Sequence, residues 1–579
     1  MSDKKDFGVL YGQKTTEDAL LIYSSYEDAK ASPQTGDFIV LERREGDGDK
    51  FLARVEAEIY DEDPIFRSQD KTLIAVNYAR IAERDLSERD KQKMFSYTYK
   101  VKLLGKFTAD GKDFVTAVRR LPVVSYHARH LNPKEFDNII NGSNEDGKEI
   151  GCLCIGDDKQ LKDKDILFDV SKLESKRTMV FAQSGFGKTN LVKTLLSSAV
   201  RDTKIGKLIF DLEGEYAFKS TKNYGLSSIN HKDYRDNLIV FTDKDQNDSQ
   251  NIIKGKVNID LSADFSIEDI INSAMGLTTA GRSFLEYLSS LPDQSDVKEF
   301  IAKIVNNNDP IEIRKFAYTR FSAYLSEPNA TQQKEIKKAD KNNMDIDSSD
   351  YYNLLEPTIK QTSKSILGAL SRQIKSLISV HENGSSLITQ CIEELKNGKT
   401  VILDMSLKDN TESSIISTTL VKRLFEKNKK AHTSEQNPIK TVVFVEEAQN
   451  VLSEEFVRSN TNPFVKLAKQ GRKFGIGLVA ITQRPSSISE EIRSQAENYF
   501  VMHMSNSKDI KALIESNNNY SGVISKFIQS ETIAGNLYMI SAKQSFVIPA
   551  RVHWFEEKIH DYVYDDEKFT EQELPELYK

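Results

Sequence analysis

Lys188 and Thr189 stand at the end of Ser184-Gly185-Phe186-Gly187, directly after the apolar run Thr178-Met-Val-Phe181, and they head a helix-forming segment. Glycines at 185 and 187 let the backbone take positive φ, so successive N–H groups converge on one point. The following helix adds the positive end of its dipole there, and a strand, loop and helix of this kind cradle nucleotide phosphates. Lys188 would reach the terminal phosphates of ATP and the Thr189 hydroxyl would ligate Mg²⁺, while Phe186 and Gln183 fill tolerant positions. Ala182 occupies the place of the first glycine in G-x-x-x-x-G-K-[ST]. An ordinary strand-turn-helix would show the same apolar run with one glycine, so the chemistry needs further groups.

Residues 441–449, Thr-Val-Val-Phe-Val-Glu-Glu-Ala-Gln, carry two acids to the C-terminal end of what reads as a buried parallel strand. In ATP hydrolysis Glu446 would orient Mg²⁺ through its waters and Glu447 would polarise the attacking water. The alternative is a helix N-terminus, where acids favour the dipole without a metal. Two further apolar runs end in polar groups, Lys207-Leu-Ile-Phe-Asp211 with Glu213 beyond it, and Gly477 to Thr482-Gln483 with Pro485 closing the segment. Ligands bind beyond the carboxyl edge of open α/β sheets, so Gln483 can sense a γ-phosphate or position water; as an alternative it is a loop amide bonded to backbone. Residues 466–475, Lys-Leu-Ala-Lys-Gln-Gly-Arg-Lys-Phe-Gly, read as a short basic helix that stops at Gly471 and exposes Arg472 and Lys473. Arg472 can act across a subunit boundary on a neighbour's phosphate, or it can be a solvated basic helix end.

Ser-Gly-Phe-Gly-Lys-Thr-Asn (184–190), Asp-Leu-Glu-Gly-Glu-Tyr (211–216), Val-Glu-Glu-Ala-Gln (445–449), Gln-Gly-Arg-Lys-Phe-Gly-Ile-Gly (470–477) and Thr-Gln-Arg-Pro-Ser (482–486) occur in that order. Together they resemble the HerA family of hexameric ATPases, relatives of the FtsK translocases. The resemblance implies Ser184 to Asn190 as the nucleotide-binding loop, with Thr189 and Glu446 at the metal. It further implies Glu447 in catalysis, Gln483 as sensor and Arg472 as a finger acting in trans. Ala182 for glycine and Glu446 for the commoner aspartate depart from the family pattern; an alanine keeps the turn if its φ is negative, and glutamate reaches further than aspartate.

The implied fold is α/β, a RecA-like P-loop NTPase core preceded by a small β-barrel and interrupted by a helical insertion. Short alternating runs at Phe7, Thr15, Gly36 and Phe51, separated by Gly and Asp, suit a closed antiparallel barrel over residues 1–125. The ATPase core is expected over 126–262 and 396–560, the insertion over 263–395 and a tail over 561–579. Within the insertion, 333–350 is polar enough to suggest a mobile loop, and Lys364, Arg372 and Lys375 on an amphipathic segment are candidate channel residues or a solvated face.

At 579 residues the chain has room for two or three domains with real cores. It has no 18-residue apolar run and a charged start, Met-Ser-Asp-Lys-Lys-Asp, which predict a cytoplasmic protein without a membrane segment or signal peptide. Three cysteines exclude a disulfide framework, and Cys152-x-Cys154 is poor metal spacing. A net charge of −7 does not decide nucleic-acid binding, because a ring can be acidic outside and basic in its channel. By resemblance, the expectation is a homohexameric ATP-driven translocase or helicase motor on duplex DNA. It would work with a partner nuclease or a sirtuin-like effector in DNA end processing or anti-phage defence. The alternative is an ATPase ring scaffold that assembles and gates such an effector with little DNA movement.

Overall fold

The computed structural model describes residues 6–14, 19–25, 33–43, 49–62, 95–108, 114–142, 147–154, 164–219, 224–229, 231–245, 252–260, short stretches between 287 and 321, 379–382, 384–459, 462–542, 544 and 546–559. The chain forms two compact units, one of residues 1–173, 177–198 and 481–579, the other of 174–176 and 199–480. Lys364, Arg372, Lys375 and the 333–350 segment lie outside the described residues.

The first unit opens with strands β1 (Gly8–Lys14), β2 (Ala19–Ser25), β3 (Phe38–Glu42), β4 (Phe51–Glu62), β5 (Phe95–Phe107), β6 (Phe114–Val115) and β7 (His127–His130). Their order β2-β1-β7-β3-β4-β5, with β2 also pairing β5, closes a six-stranded barrel, and β6 extends from β5. Closure leaves few free sheet edges. Alternation supplies the core: Ile39 and Leu41, Phe51, Ala53 and Val55, and Tyr99 and Val101 all face inward with Phe7, Leu10 and Ile22. Strand β7, His127–His130, completes the barrel between β1 and β3.

The chain continues through β8 (Lys148–Leu153), β9 (Asp165–Phe168), β10 (Arg177–Phe181) and helix α1 (Lys188–Ala199) in this unit. Strands β11 (Gly206–Asp211), β12 (Leu238–Thr242), β13 (Ile253–Gly255), β14 (Thr400–Asp404), β15 (Thr441–Val445) and most of β16 (Ile476–Thr482) belong to the second. Helices α2 (Asn410–Thr433) and α3 (Pro463–Gln470) lie there as well. The chain re-enters the first unit within β16 and adds β17 (Asn498–Val501), helix α4 (Val523–Ser530), β18 (Asn536–Ile540) and β19 (Ile548–Val552).

In the second unit the strands run parallel in the order β13-β12-β14-β11-β15-β16. Strands β11, β12, β14, β15 and β16 are buried at every residue, which is why they read as continuous apolar runs and not as alternating ones. In the first unit β10 pairs β17 in parallel, and β17, β18, β19, β8 and β9 continue as antiparallel neighbours. Among the described residues of 263–395, helices span Ser295–Val305 and Leu387–Lys396. Among the described residues no helix is long and apolar enough to cross a membrane.

Candidate active site

The phosphate loop joins β10 to α1. Gly185 has φ +85° and Gly187 φ +98°, values that side chains resist, so the two glycines are required by the path of the chain. A Cβ on Gly185 would meet nothing within 4 Å, whereas one on Gly187 would lie 3.4 Å from the Gly535 nitrogen. The loop is pinned from its own unit: Gln183 N–H donates to the His503 carbonyl (3.0 Å) and Gly535 N–H donates to the Phe186 carbonyl (3.0 Å). Phe186 fills more than a tolerant position, because its ring stacks on His503 with centroids 4.2 Å apart. The Ser505 hydroxyl donates to Gln183 Oε1 at 3.0 Å. Ala182 is buried, stays outside the left-handed region and donates its N–H to the Thr482 carbonyl at 3.3 Å, so alanine serves the turn at this position.

Ser184 and Gly185 are exposed, and Phe186, Gly187, Lys188 and Thr189 are half-buried, with Lys188 and Thr189 in the first turn of α1. The Asn190 side-chain amide donates to the His553 carbonyl (2.9 Å) and its Oδ1 accepts from Phe555 N–H (2.8 Å), so this side chain clamps the segment after β19. Gln483 is half-buried and directly follows Thr482, whose carbonyl holds the start of the loop.

In the second unit four neighbouring strands end in a row of polar side chains. Register aligns Thr242 with Asp404 and Asp404 with Asp211, and the pairing of Phe210 with Val445 brings Glu446 next in line. All four are buried. The Thr242 hydroxyl donates to Asp404 Oδ2 (2.9 Å), the Ser406 hydroxyl donates to Asp404 Oδ1 (2.6 Å), and Lys244 Nζ lies 3.1 Å from Asp404 Oδ2. Asp211 turns the following chain back on itself by accepting N–H groups from Gly214 (2.7 Å), Glu215 (3.2 Å) and Tyr216 (3.0 Å). Burial nevertheless pushes its carboxyl up to about 6, and neighbouring Asp404 adds to the rise against those three donors.

That turn delivers Tyr216, wholly buried, whose hydroxyl donates to Glu446 Oε1 at 2.7 Å. Glu446 Oε2 accepts a longer bond from Leu212 N–H at 3.4 Å. Burial, followed by the charge and hydrogen bond of Glu446, lifts the Tyr216 hydroxyl well above its ordinary range, so it remains a donor. The role of Tyr216 is not apparent from motif reading; the signal lies in Asp-Leu-Glu-Gly-Glu-Tyr, where an acid five residues before a tyrosine folds it back. Thr242 ends, and Lys244 follows, the strand Leu238–Thr242, which carries no motif.

Glu447 has φ +45°, a left-handed conformation that costs a non-glycine residue on the order of 1–3 kcal/mol and clusters at functional positions. Its carboxylate accepts from Gln449 Nε2. A cavity of about 50 Å³ opens against Glu446, Glu447, Asn450, Ser413 and Ser417, with room for water beside Glu447. Helix α2, which contributes the serines, is started by a reciprocal cap between Asp409 and Glu412.

Helix α3 ends at Gln470 with Gly471 as its cap, and the chain then tightens into a separate 3₁₀ turn over Gly471–Phe474, which the left-handed Gly475 at φ +73° closes. Phe474 is buried against Phe425 at 5.0 Å, which anchors the turn and leaves Arg472 and Lys473 exposed. Among the described residues no cluster of three or more His, Cys, Asp or Glu side chains is arranged to hold a metal. Mg²⁺ bound with a nucleotide keeps its waters and takes one or two protein oxygens, and hydroxyl and carboxylate oxygens such as those of Thr189 or Glu446 are of the chemical kind it accepts.

Residues 149–424 match the model of the HerA helicase central domain, and residues 361–520 match that of the zonular occludens toxin family. The chain is similar to the DNA double-strand break repair helicase HerA of Sulfurisphaera tokodaii, 24% identical over 73% of this chain and 71% of that protein. It is also similar to the protein of that name from Sulfolobus acidocaldarius, 22% identical over 89% and 86% of the two chains. Among solved structures, the bacterial conjugative coupling protein TrwB aligns with a TM-score of 0.43 and 13% identity, covering 72% of this chain and 91% of that one.

Proposed function

From a chain that carries the HerA central domain and is a P-loop ATPase, we propose an ATP-driven motor that moves along duplex DNA. The observation that carries the reading is that one chain holds both a Gly185/Gly187 phosphate loop and a buried, hydrogen-bonded Glu446 followed by a strained Glu447. In this reading Ser184 to Thr189 bind ATP through backbone N–H groups and Lys188. Thr189 and Glu446 would hold Mg²⁺, which would supply positive charge against the phosphates when bound. Glu447 orients and polarises the attacking water, drawn from the adjoining cavity, and Gln483 senses the γ-phosphate. Names of the relatives support DNA as the substrate, and the expected domain division over 1–125, 126–262 with 396–560, 263–395 and 561–579 is retained as part of the proposal, with the barrel extended through β7.

The ring itself is part of the proposal. Arg472, exposed on an anchored turn, would act on the phosphate of a neighbouring subunit of a homohexamer. Mixed rings of inactive Arg472→Ala and inactive Glu447→Gln subunits should then regain turnover, and verified mixed rings that stay inactive would remove the trans role. A partner nuclease or sirtuin-like effector would supply the chemistry that this chain does not, in end processing or in defence against phage.

Steady-state ATP turnover, measured with and without linear duplex DNA at one moderate salt concentration, tests the motor. Stimulation of several-fold is expected. Turnover indifferent to DNA at that salt concentration would instead favour a ring that scaffolds and gates an effector.

A further inference from the structure

Helix α4 touches the barrel at one end and the phosphate loop's support at the other, all within the first unit. At its N-terminus, Val523 N–H donates to Glu56 Oε2 on β4 at 3.1 Å. The same carboxylate holds Arg54, whose Nη2 lies 2.9 Å from Glu56 Oε1. Arg54 is only 1% exposed, burial lowers its affinity for its proton against the opposing pull of Glu56, and its Nη1 has no partner among the described residues. A guanidinium so placed ties Glu56 to one position, because withdrawing the carboxylate would leave a buried charge uncompensated.

Two glycines permit the contact. Gly522, at φ +74°, precedes α4, and a Cβ there would sit 2.6 Å from Glu56 Oε2; Gly36, at φ +100° before β3, faces Phe527 of α4, and a Cβ there would sit 2.8 Å from that ring. Phe546 adds edge contacts to barrel residues Phe38 (5.6 Å) and Phe114 (5.8 Å).

At the other end of α4 the Ile528 carbonyl lies 3.0 Å from His503 Nδ1 and also accepts Met504 N–H at 3.4 Å. A carbonyl partner makes Nδ1 the protonated nitrogen. His503 is the residue that takes Gln183 N–H on its carbonyl and stacks its ring on Phe186 at 4.2 Å. One backbone N–H and one side-chain ring of the phosphate loop thus rest on one histidine, and that histidine is oriented by the last turn of a helix whose first turn is held by the barrel.

We propose that α4 and His503 couple the barrel to the phosphate loop, with His503 as a positioning residue for nucleotide binding and Glu56 as the barrel's hold on α4. A ligand or partner that shifts the barrel then changes nucleotide affinity, and bound nucleotide changes the affinity of the barrel for that partner by the same factor. The inference rests on the phosphate loop binding nucleotide, so the wild-type affinity for a fluorescent ADP analogue is measured first, and absence of binding there would defeat the ATPase reading itself.

The test is a double-mutant cycle on that affinity with Glu56→Gln and His503→Phe. His503→Phe keeps a ring for Phe186 and loses the bond to Ile528. Each single variant should weaken binding on the order of three- to tenfold, and the double variant should be no weaker than the worse single one. Multiplying effects, or a Glu56→Gln protein with wild-type affinity, would overturn the coupling. Because Glu56→Gln strains a buried Arg54, the milder Phe527→Leu is run beside it with thermal melting of each variant. Phe527→Leu should weaken binding in a wild-type background and leave it unchanged in a His503→Phe background, and any other pattern counts against the proposal.

Discussion

Between Ala182 and Lys188 the groups available to a ligand are mostly backbone N–H groups, aimed by Gly185 and Gly187 at positive φ. Between Thr242 and Glu446 they are side chains, buried and joined by hydrogen bonds across four strands. The first arrangement tolerates many side chains and rejects a Cβ at two positions. The second depends on side-chain identity and on parallel register, since sliding one strand by a residue would turn its acid to the other face. A backbone-built site is written in adjacent residues; a register-built site is distributed along the chain.

The largest effect should come where the loop relies on a side chain after all. Lys188→Ala removes the one cation that the motif places on the phosphates, and nucleotide turnover should fall to background in a steady-state assay; turnover at the wild-type rate would dismiss the loop as the ATP site.

Next is Tyr216→Phe, which leaves Glu446 Oε1 without its hydroxyl donor while keeping the ring volume. Turnover should drop about tenfold, and a titration should show a higher Mg²⁺ requirement with nucleotide affinity held near wild type. A change in affinity alone would assign Tyr216 to packing.

Gly185→Ala sharpens the contrast from the loop side. With nothing within 4 Å of the new Cβ, only the strain of φ +85° remains, about 1 kcal/mol, so the apparent affinity for ATP should weaken about fivefold without a change in kcat.

The smallest effect concerns the sheet under the acidic row. Lys207 on β11 is buried, and desolvation lowers its amine to about 8 despite the opposing charge of Asp202. Between that value and its unfolded value the unfolded chain binds more protons, so the stability of the fold rises with pH over roughly 8 to 10. Chemical denaturation should show a gain of about 1–3 kcal/mol over that window in wild type that is absent in Lys207→Met.

Much of this was legible in the chain before folding. The loop at 184–189 is contiguous, and the runs Thr400–Asp404, Thr441–Val445 and Ile476–Thr482 form strands because both faces of a parallel sheet are buried and every residue there but the terminal Asp404 is apolar or small. Glu446 and Glu447 could be placed at a strand end, yet their difference could not: one is held by a tyrosine from another strand's turn, the other is strained, and both facts arise from tertiary contact. The motif fixes the position of Asn190 on α1, but not the partners of its amide, both of which lie far along the chain at 553–555. The end of α3 at Gly471 was legible, while the 3₁₀ turn that follows to Gly475 was not, because it rests on the burial of Phe474 against Phe425.

Motion along DNA is the claim on which the functional reading stands, and displacement of a triplex-forming oligonucleotide from linear duplex DNA measures it without requiring strand separation. The wild-type chain with ATP and Mg²⁺ should release the third strand faster as ATP is raised, with no release by Lys188→Ala or with a non-hydrolysable analogue. Brisk ATP turnover on the same DNA with no displacement would contradict the motor.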